Sequence, residues 1–222
     1  MNMVTLENVT KTYRTKRGEL NALTEVNLYI NKGEFVVLQG PSGSGKTTLL
    51  MTVAAMLRPT SGKVIVDQND LYSMAIRERA KFRARNIGFV FQMFHLVPYL
   101  NIVENVLLAG RLLDQSDRTR TAEELLKQLG LADRATHRPA ELSAGEKQRA
   151  AIARAMFNRP RMILADEPTG NLDPDNATSV LKHLAEFHRA GGTVILATHG
   201  QTAQQFADRV IHLRGGLLKQ SG

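Results

Sequence analysis

The chain has 222 residues, of which 43% are hydrophobic and 23% charged, with a net charge of +8 and no cysteine. This composition describes a globular protein with a substantial core, as one large or two small domains, and excludes disordered, collagenous and low-complexity classes. It also excludes disulfides, thiolate zinc sites and cysteine nucleophiles.

No apolar run approaches the roughly 20 residues that cross a bilayer, and the opening MNMVTLENVTKTYR lacks the apolar stretch of a secretory signal. The expectation is a soluble, unexported protein, consistent with a reducing cytosol. The positive charge suits nucleic acid, an anionic membrane face, an anionic ligand such as a nucleotide, or a plain solvated surface. Basic residues cluster modestly at Arg14 to Arg17 and Arg77 to Arg85, without a run of five.

In chain order, Glu34 to Gln39 reads as a buried strand that enters a Gly-rich turn and then a helix from about Lys46 to Leu57, stopped by Arg58 to Gly62. Lys63 to Asp67 and Ile87 to Phe91 read as strands. Asn101 opens a helix with Glu104 as its capping partner, running on to Leu113. A further helix spans Asp117 to Leu129, with Leu125, Leu126 and Leu129 on one face. Ser143 caps a helix to Arg159, which Pro160 stops. Strands at Met162 to Ala165 and Thr193 to Ala197 bracket a helix from Asp175 to Arg189, ended by Gly191-Gly192. Val210 to Leu213 and Leu217 to Lys219 flank Gly215-Gly216 as a closing hairpin.

This alternation predicts an α/β fold with a mainly parallel sheet covered on both faces. Antiparallel strands come from the first and last segments. A helical subdomain, about 93–158, interrupts a core of about 1–92 and 159–222, all within a single domain.

Gly40-Pro41-Ser42-Gly43-Ser44-Gly45-Lys46-Thr47 fits the phosphate-binding loop G-x-x-x-x-G-K-[ST] in its strand-to-helix context. Glycines let successive N–H groups point inward at phosphate oxygens, and the helix N-terminus adds partial positive charge. Lys46 is expected to reach the terminal phosphates of ATP. Thr47 is expected to ligate Mg²⁺, with Thr48 beside it in the nucleotide site. Met162 to Glu167 is an apolar strand ending in two carboxylates that alternation aims in different directions. One carboxylate, Asp166, can hold the metal while the other, Glu167, polarises the attacking water.

Leu142-Ser143-Ala144-Gly145-Glu146-Lys147-Gln148-Arg149 places a Ser cap and small residues at a helix N-terminus, a second anion-binding design. It resembles the LSGGQ-x-QR signature of ATP-binding-cassette ATPases, departing from it at Ala144 and Glu146. Other motifs of that family match in order. Tyr13 resembles the aromatic that stacks on adenine. Gln92, ending IGFVFQ, resembles the glutamine that senses metal and water and leads into the helical subdomain. Asn171-Leu172-Asp173 resembles the loop that crosses to the opposite subunit, and His199 the histidine that contacts the terminal phosphate. His95, His137, His183, His188 and His212 receive no role.

The resemblance runs from about Leu6 to Lys219. It implies the family's fold, ATP and Mg²⁺ as ligands, and ATP hydrolysis assisted by Glu167, His199, Gln92 and Lys46. It also implies head-to-tail pairing with a second nucleotide-binding subunit, a homodimer in the simplest case, in which Ser143 to Glu146 face the partner's ATP. A separate transmembrane permease would then be driven from the cytoplasmic face of the membrane, with no nucleic-acid partner expected. Met93 to Leu100 would touch that permease, although Phe94, Leu96, Pro98 and Tyr99 also read as local core. RGELNALTEVNLYINKGEF, RPTSGKV and DEPTGNLD resemble the branch that serves lipoprotein release, macrolide-type export and glycolipid export, a pattern shared with a cell-division ATPase. Two alternatives stand beside transport: an ATPase acting on DNA or ribosomes, and a cell-envelope motor without cargo.

Overall fold

A computed structural model describes residues 1–16, 18–110 and 115–219. Arg17 of the first basic cluster and the end of the helix expected to reach Leu113 lie outside the described residues.

The chain builds two sheets. β1 (Asn2–Thr15) and β2 (Gly18–Asn31) pair antiparallel, and β4 (Ser61–Val66) and β5 (Asn69–Asp70) extend them in the order β2-β1-β4-β5. The second sheet contains β3 (Phe35–Gln39), β6 (Ile87–Val90), β7 (Met162–Asp166), β8 (Thr193–Thr198), β9 (Arg209–Arg214) and β10 (Leu217–Lys219). Its order is β10-β9-β3-β8-β7-β6. All its pairings are parallel except β9 with β10.

The central parallel strands β3, β6, β7 and β8 are mostly apolar and buried because both faces are covered. Val36 and Leu38 point to one side, against Leu49, Leu50 and Val53 and the β1–β2 sheet. Phe35 and Val37 point to the other, against Phe157, Val180 and Leu184. Asp67 joins the two sheets, pairing with Lys32 Nζ at 2.5 Å and with Arg161 just before β7.

The helices are α1 (Lys46–Val53), α2 (Ile76–Asn86), α3 (Ile102–Leu107), α4 (Gln115–Gln128), α5 (Ala144–Met156) and α6 (Pro174–Arg189). Several depart from expectation. α1 stops at Val53 rather than Leu57: Ala55 is left-handed at φ 59°, and Tyr72 Oη lies 2.8 Å from Thr52 O and 2.5 Å from Leu57 O. Burial pushes the Tyr72 phenol up to about 12. α3 ends at Leu107, and Asn158 Nδ2 takes the Ala109 carbonyl at 2.6 Å. α5 ends at Met156, not Arg159, which is itself left-handed at φ 49°. β9 pairs parallel with β3, so only β10 of the closing hairpin is antiparallel to the sheet. Asp208 sets that pairing, its carboxylate accepting the Phe35 N–H at 2.7 Å.

Between β6 and β7 the chain is mainly helical. Asn105, fully buried, anchors this arm. Its Oδ1 accepts the Val97 N–H at 2.7 Å, and its Nδ2 donates to Val97, Leu100 and Asn101 carbonyls at 3.1, 3.1 and 2.9 Å. The turn before it, left-handed at Phe94 and His95, is held by Arg154, which donates to both of their carbonyls.

Candidate active site

The fully buried strand β3 delivers the loop Gly40 to Gly45 to the start of α1. Gly45 caps α1 at φ 106°, a conformation that favours glycine, and its Cα faces the Ala22 carbonyl so closely that a Cβ would collide with it. The curled loop and the first turn of α1 form one wall of a cleft of about 440 Å³, lined by Ser42, Gly43, Ser44, Gly45, Lys46, Thr47 and Thr48. Gln92, Glu167 and His199 face it, and Tyr13 closes one end. Gly40 and Pro41 sit behind this surface, and their carbonyls accept from Lys46 Nζ at 2.7 and 3.1 Å. Leu20 and Ala22 of β2 also line the cleft. Nothing in their sequence context marks them, because they arrive by sheet pairing: Leu20 lies opposite Tyr13. Tyr13 is 37% exposed, with Lys11 Nζ 5.3 Å from its ring centroid, so it offers an accessible aromatic face.

The adjacent strands β7 and β8 carry the charged end of the cleft. Glu167 follows β7 in a left-handed backbone, φ 46°, which turns its side chain away from that of Asp166. One oxygen, Oε1, lies 3.5 Å from Lys46 Nζ, and Oε2 lies 3.0 Å from His199 Nδ1. Asp166 is 9% exposed. Burial pushes its carboxyl above the usual range, and the neighbouring Glu167 adds to this, while a hydrogen bond with Thr47 and the charge of Lys46 oppose it.

Asp166 Oδ1 and Ser44 Oγ are buried without a hydrogen-bond partner. A buried carboxylate with an orphan oxygen beside a threonine hydroxyl fits a hard divalent cation such as Mg²⁺. Among the described residues no cluster of three or more His, Cys, Asp or Glu could enclose an ion unaided.

Ser143, Ala144, Gly145 and Glu146 are not in this cleft. They form the N-terminus of α5, with Ser143 and Ala144 exposed, Glu146 partly exposed and Gly145 buried; Ser143 Oγ accepts the Glu146 N–H at 3.2 Å and Glu146 Oε2 accepts the Ser143 N–H at 2.8 Å. That bond from Ser143, reinforced by Arg134, holds the Glu146 carboxyl below the ordinary carboxylate range. Gly145 packs so closely on Asn176 of α6 that a Cβ would clash with it. Asp173 caps α6 by accepting the Asn176 N–H at 3.0 Å, so the Asn171 to Asp173 loop is locked to the same helix. In the segment after Gln92, Leu96 packs into the core while Met93 and Tyr99 are 67% and 74% exposed, so the apolar group divides between the two readings.

A family model described as "ABC transporter" matches residues 23–170. The chain belongs to the ABC transporter family. It is an ATP-binding ATPase subunit of this family. It is 43% identical over 218 residues to the uncharacterized ABC transporter ATP-binding protein YvrO of Bacillus subtilis, covering 97% of this chain and 95% of that one. It is 41% identical to the lipoprotein-releasing system ATP-binding protein LolD 2 of Caulobacter vibrioides, covering 98% and 96%. A macrolide export ATP-binding/permease protein MacB of Chlorobaculum tepidum matches at 42%, this chain spanning 33% of its length. A solved dimeric ATP-binding cassette in a post-hydrolysis state with ADP and Pi superposes with a TM-score of 0.91 at 39% identity, covering 99% of this chain and 100% of that one. Among the described residues of this ABC ATPase, no helix is long and apolar enough to cross a membrane.

Proposed function

We propose that two copies of this ABC ATPase close head to tail over two ATP molecules and drive a separate membrane-embedded permease from the cytoplasmic face of the membrane. The observation that carries this reading is the separation of the two anion-binding elements. The Ser42 to Thr48 loop lines the cleft, whereas the α5 N-terminus lies outside it, with Ser143 and Ala144 exposed. One chain thus holds two halves of different sites, and a second copy completes both. The dimeric solved relatives support this arrangement.

In the reading, Lys46 exchanges its loop carbonyls for the terminal phosphates, and the Gly43 to Thr47 N–H groups cradle them. Tyr13 stacks on the base. Thr47, Asp166 and Gln92 would hold Mg²⁺, whose charge would offset that of the phosphates. Glu167, aligned by His199, accepts a proton from the attacking water. The cassette is a single domain whose helical part, about 93–158, moves with Gln92 and passes closure to the permease. Relatives named for lipoprotein release and macrolide export support export or extraction.

The test is co-purification from detergent-solubilised native membranes with Glu167→Gln as bait and ATP present. A stoichiometric multi-span protein is expected. Recovery of only soluble proteins or nucleic acid overturns the transporter reading.

A further inference from the structure

The N-terminus of α5 carries an electrostatic conflict. Its first-turn N–H groups at Ala144 and Gly145 have no intrahelical acceptor and suit an anion. The capping carboxylate of Glu146 places a full negative charge beside them. It cannot swing away without breaking the capping box, because Oε2 accepts the Ser143 N–H at 2.8 Å. The other oxygen, Oε1, accepts Arg134 Nε at 3.1 Å. Arg134 ends a short 3₁₀ helix, Ala132–Arg134, and comes from outside α5 altogether. Its Nη1 also lies 3.3 Å from His137 Nε2, so contacts on two sides orient the guanidinium. Glu146 is 20% exposed and Arg134 46%, which places the pair at the surface that an approaching partner would cover.

We propose that Arg134 is a positioning residue that neutralises and fixes Glu146, so that the α5 N-terminus can accept the phosphate chain held by a second copy of this protein. The proposal rests on the head-to-tail reading above. The arginine converts a capping carboxylate into a neutral pair at the moment when water leaves the interface. Without it, Glu146 would face the incoming phosphates as a bare like charge, and such juxtaposition suppresses association strongly.

The experiment measures ATP-driven dimerisation of the full chain in the Glu167→Gln background by sedimentation equilibrium with Mg-ATP at low and moderate salt. Arg134→Ala is expected to weaken the dimer by about 5- to 20-fold at low salt, with a smaller effect at higher salt. Glu146→Gln, which keeps a cap without the charge, is expected to dimerise at least as well as the parent. The double variant is expected to recover to within about twofold of Glu146→Gln, because no bare carboxylate remains. Parent-like dimerisation of Arg134→Ala, or a double variant as weak as Arg134→Ala, overturns the proposal. A role confined to folding would give the second result.

Ser143→Arg, which blocks the α5 N-terminus, tests the underlying reading separately. If it dimerises like the parent, the head-to-tail reading fails and the proposal with it. If only Ser143→Arg loses the dimer, the Arg134 proposal alone fails.

Discussion

His199 and Glu167 converge on one oxygen. The imidazole Nδ1 lies 3.0 Å from Glu167 Oε2, and the His199 backbone N–H reaches the same atom at 3.4 Å. With Lys46 near the other oxygen, the carboxylate is aimed by contacts from β8 and α1 while remaining 14% exposed to the cleft. Such alignment fixes the orientation of a base before the reaction begins.

Glu167→Gln removes the proton acceptor but keeps shape and hydrogen bonding. ATP binding should persist and turnover should fall by about 10²- to 10⁴-fold. Equilibrium nucleotide binding and phosphate release read the two effects separately, and near-parental turnover would remove Glu167 as the base.

Tyr13 offers a ring face at the end of the cleft, opposite Leu20. Base stacking is worth about 1–3 kcal/mol by alanine substitution. Tyr13→Ala should therefore weaken ATP binding about tenfold or more while leaving the Mg²⁺ dependence of hydrolysis unchanged. Unaltered affinity would return Tyr13 to an ordinary strand residue.

Asp166 is a buried carboxylate whose folded-state pKa is raised above its unfolded value of 3.8. Its neutral form therefore favours folding, an effect fully present below the unfolded pKa and lost as pH rises through the folded one. At neutral pH the ionised group costs stability. Asp166→Asn should stabilise the nucleotide-free chain by about 1 kcal/mol, a rise in Tm of about 2–4 °C, and the gain should shrink on acidification. The same variant should lose Mg²⁺-dependent hydrolysis. A lowered Tm at neutral pH would contradict the electrostatic account.

Asp67 behaves in the opposite sense. The hydrogen bond from Lys32, assisted by Arg161, holds its carboxyl below its usual value of 3.8. Its contribution is present above the unfolded pKa and lost as pH falls through the folded one. Asp67→Asn should cost about 1–2 kcal/mol at neutral pH. Urea unfolding of parent and variant should converge as pH falls below the lowered folded-state pKa of Asp67, where protonation removes the carboxylate charge from the parent. A cost that is constant with pH would assign the effect to packing.

The phosphate loop, the strand ending in Asp166 and Glu167 and the capped α5 were legible because each is local: a glycine spacing, an apolar run, a Ser with a Glu three residues on. The limits were equally physical. α2 has no buried residue, so no apolar periodicity announces a helix within the basic segment Arg77 to Arg85. The end of α1 depends on Tyr72, whose hydroxyl arrives from beyond β5. The parallel pairing of β9 with β3 is set by Asp208, far along the chain from Phe35. Arg134 escaped notice because its partner lies across two turns, and an isolated arginine in a polar loop carries no spacing signal.

The four hydrogen bonds of Asn105 weld the loop Val97 to Asn101 onto α3. This stretch therefore has no soft joint of its own. The exposed ring of Tyr99 lies within this braced stretch, and the left-handed turn before it, at Phe94 and His95, is held by Arg154 of α5. In the proposed motor such a braced segment would serve as a stiff crank, so substitutions at Asn105 should uncouple ATP turnover from its load rather than slow the turnover itself.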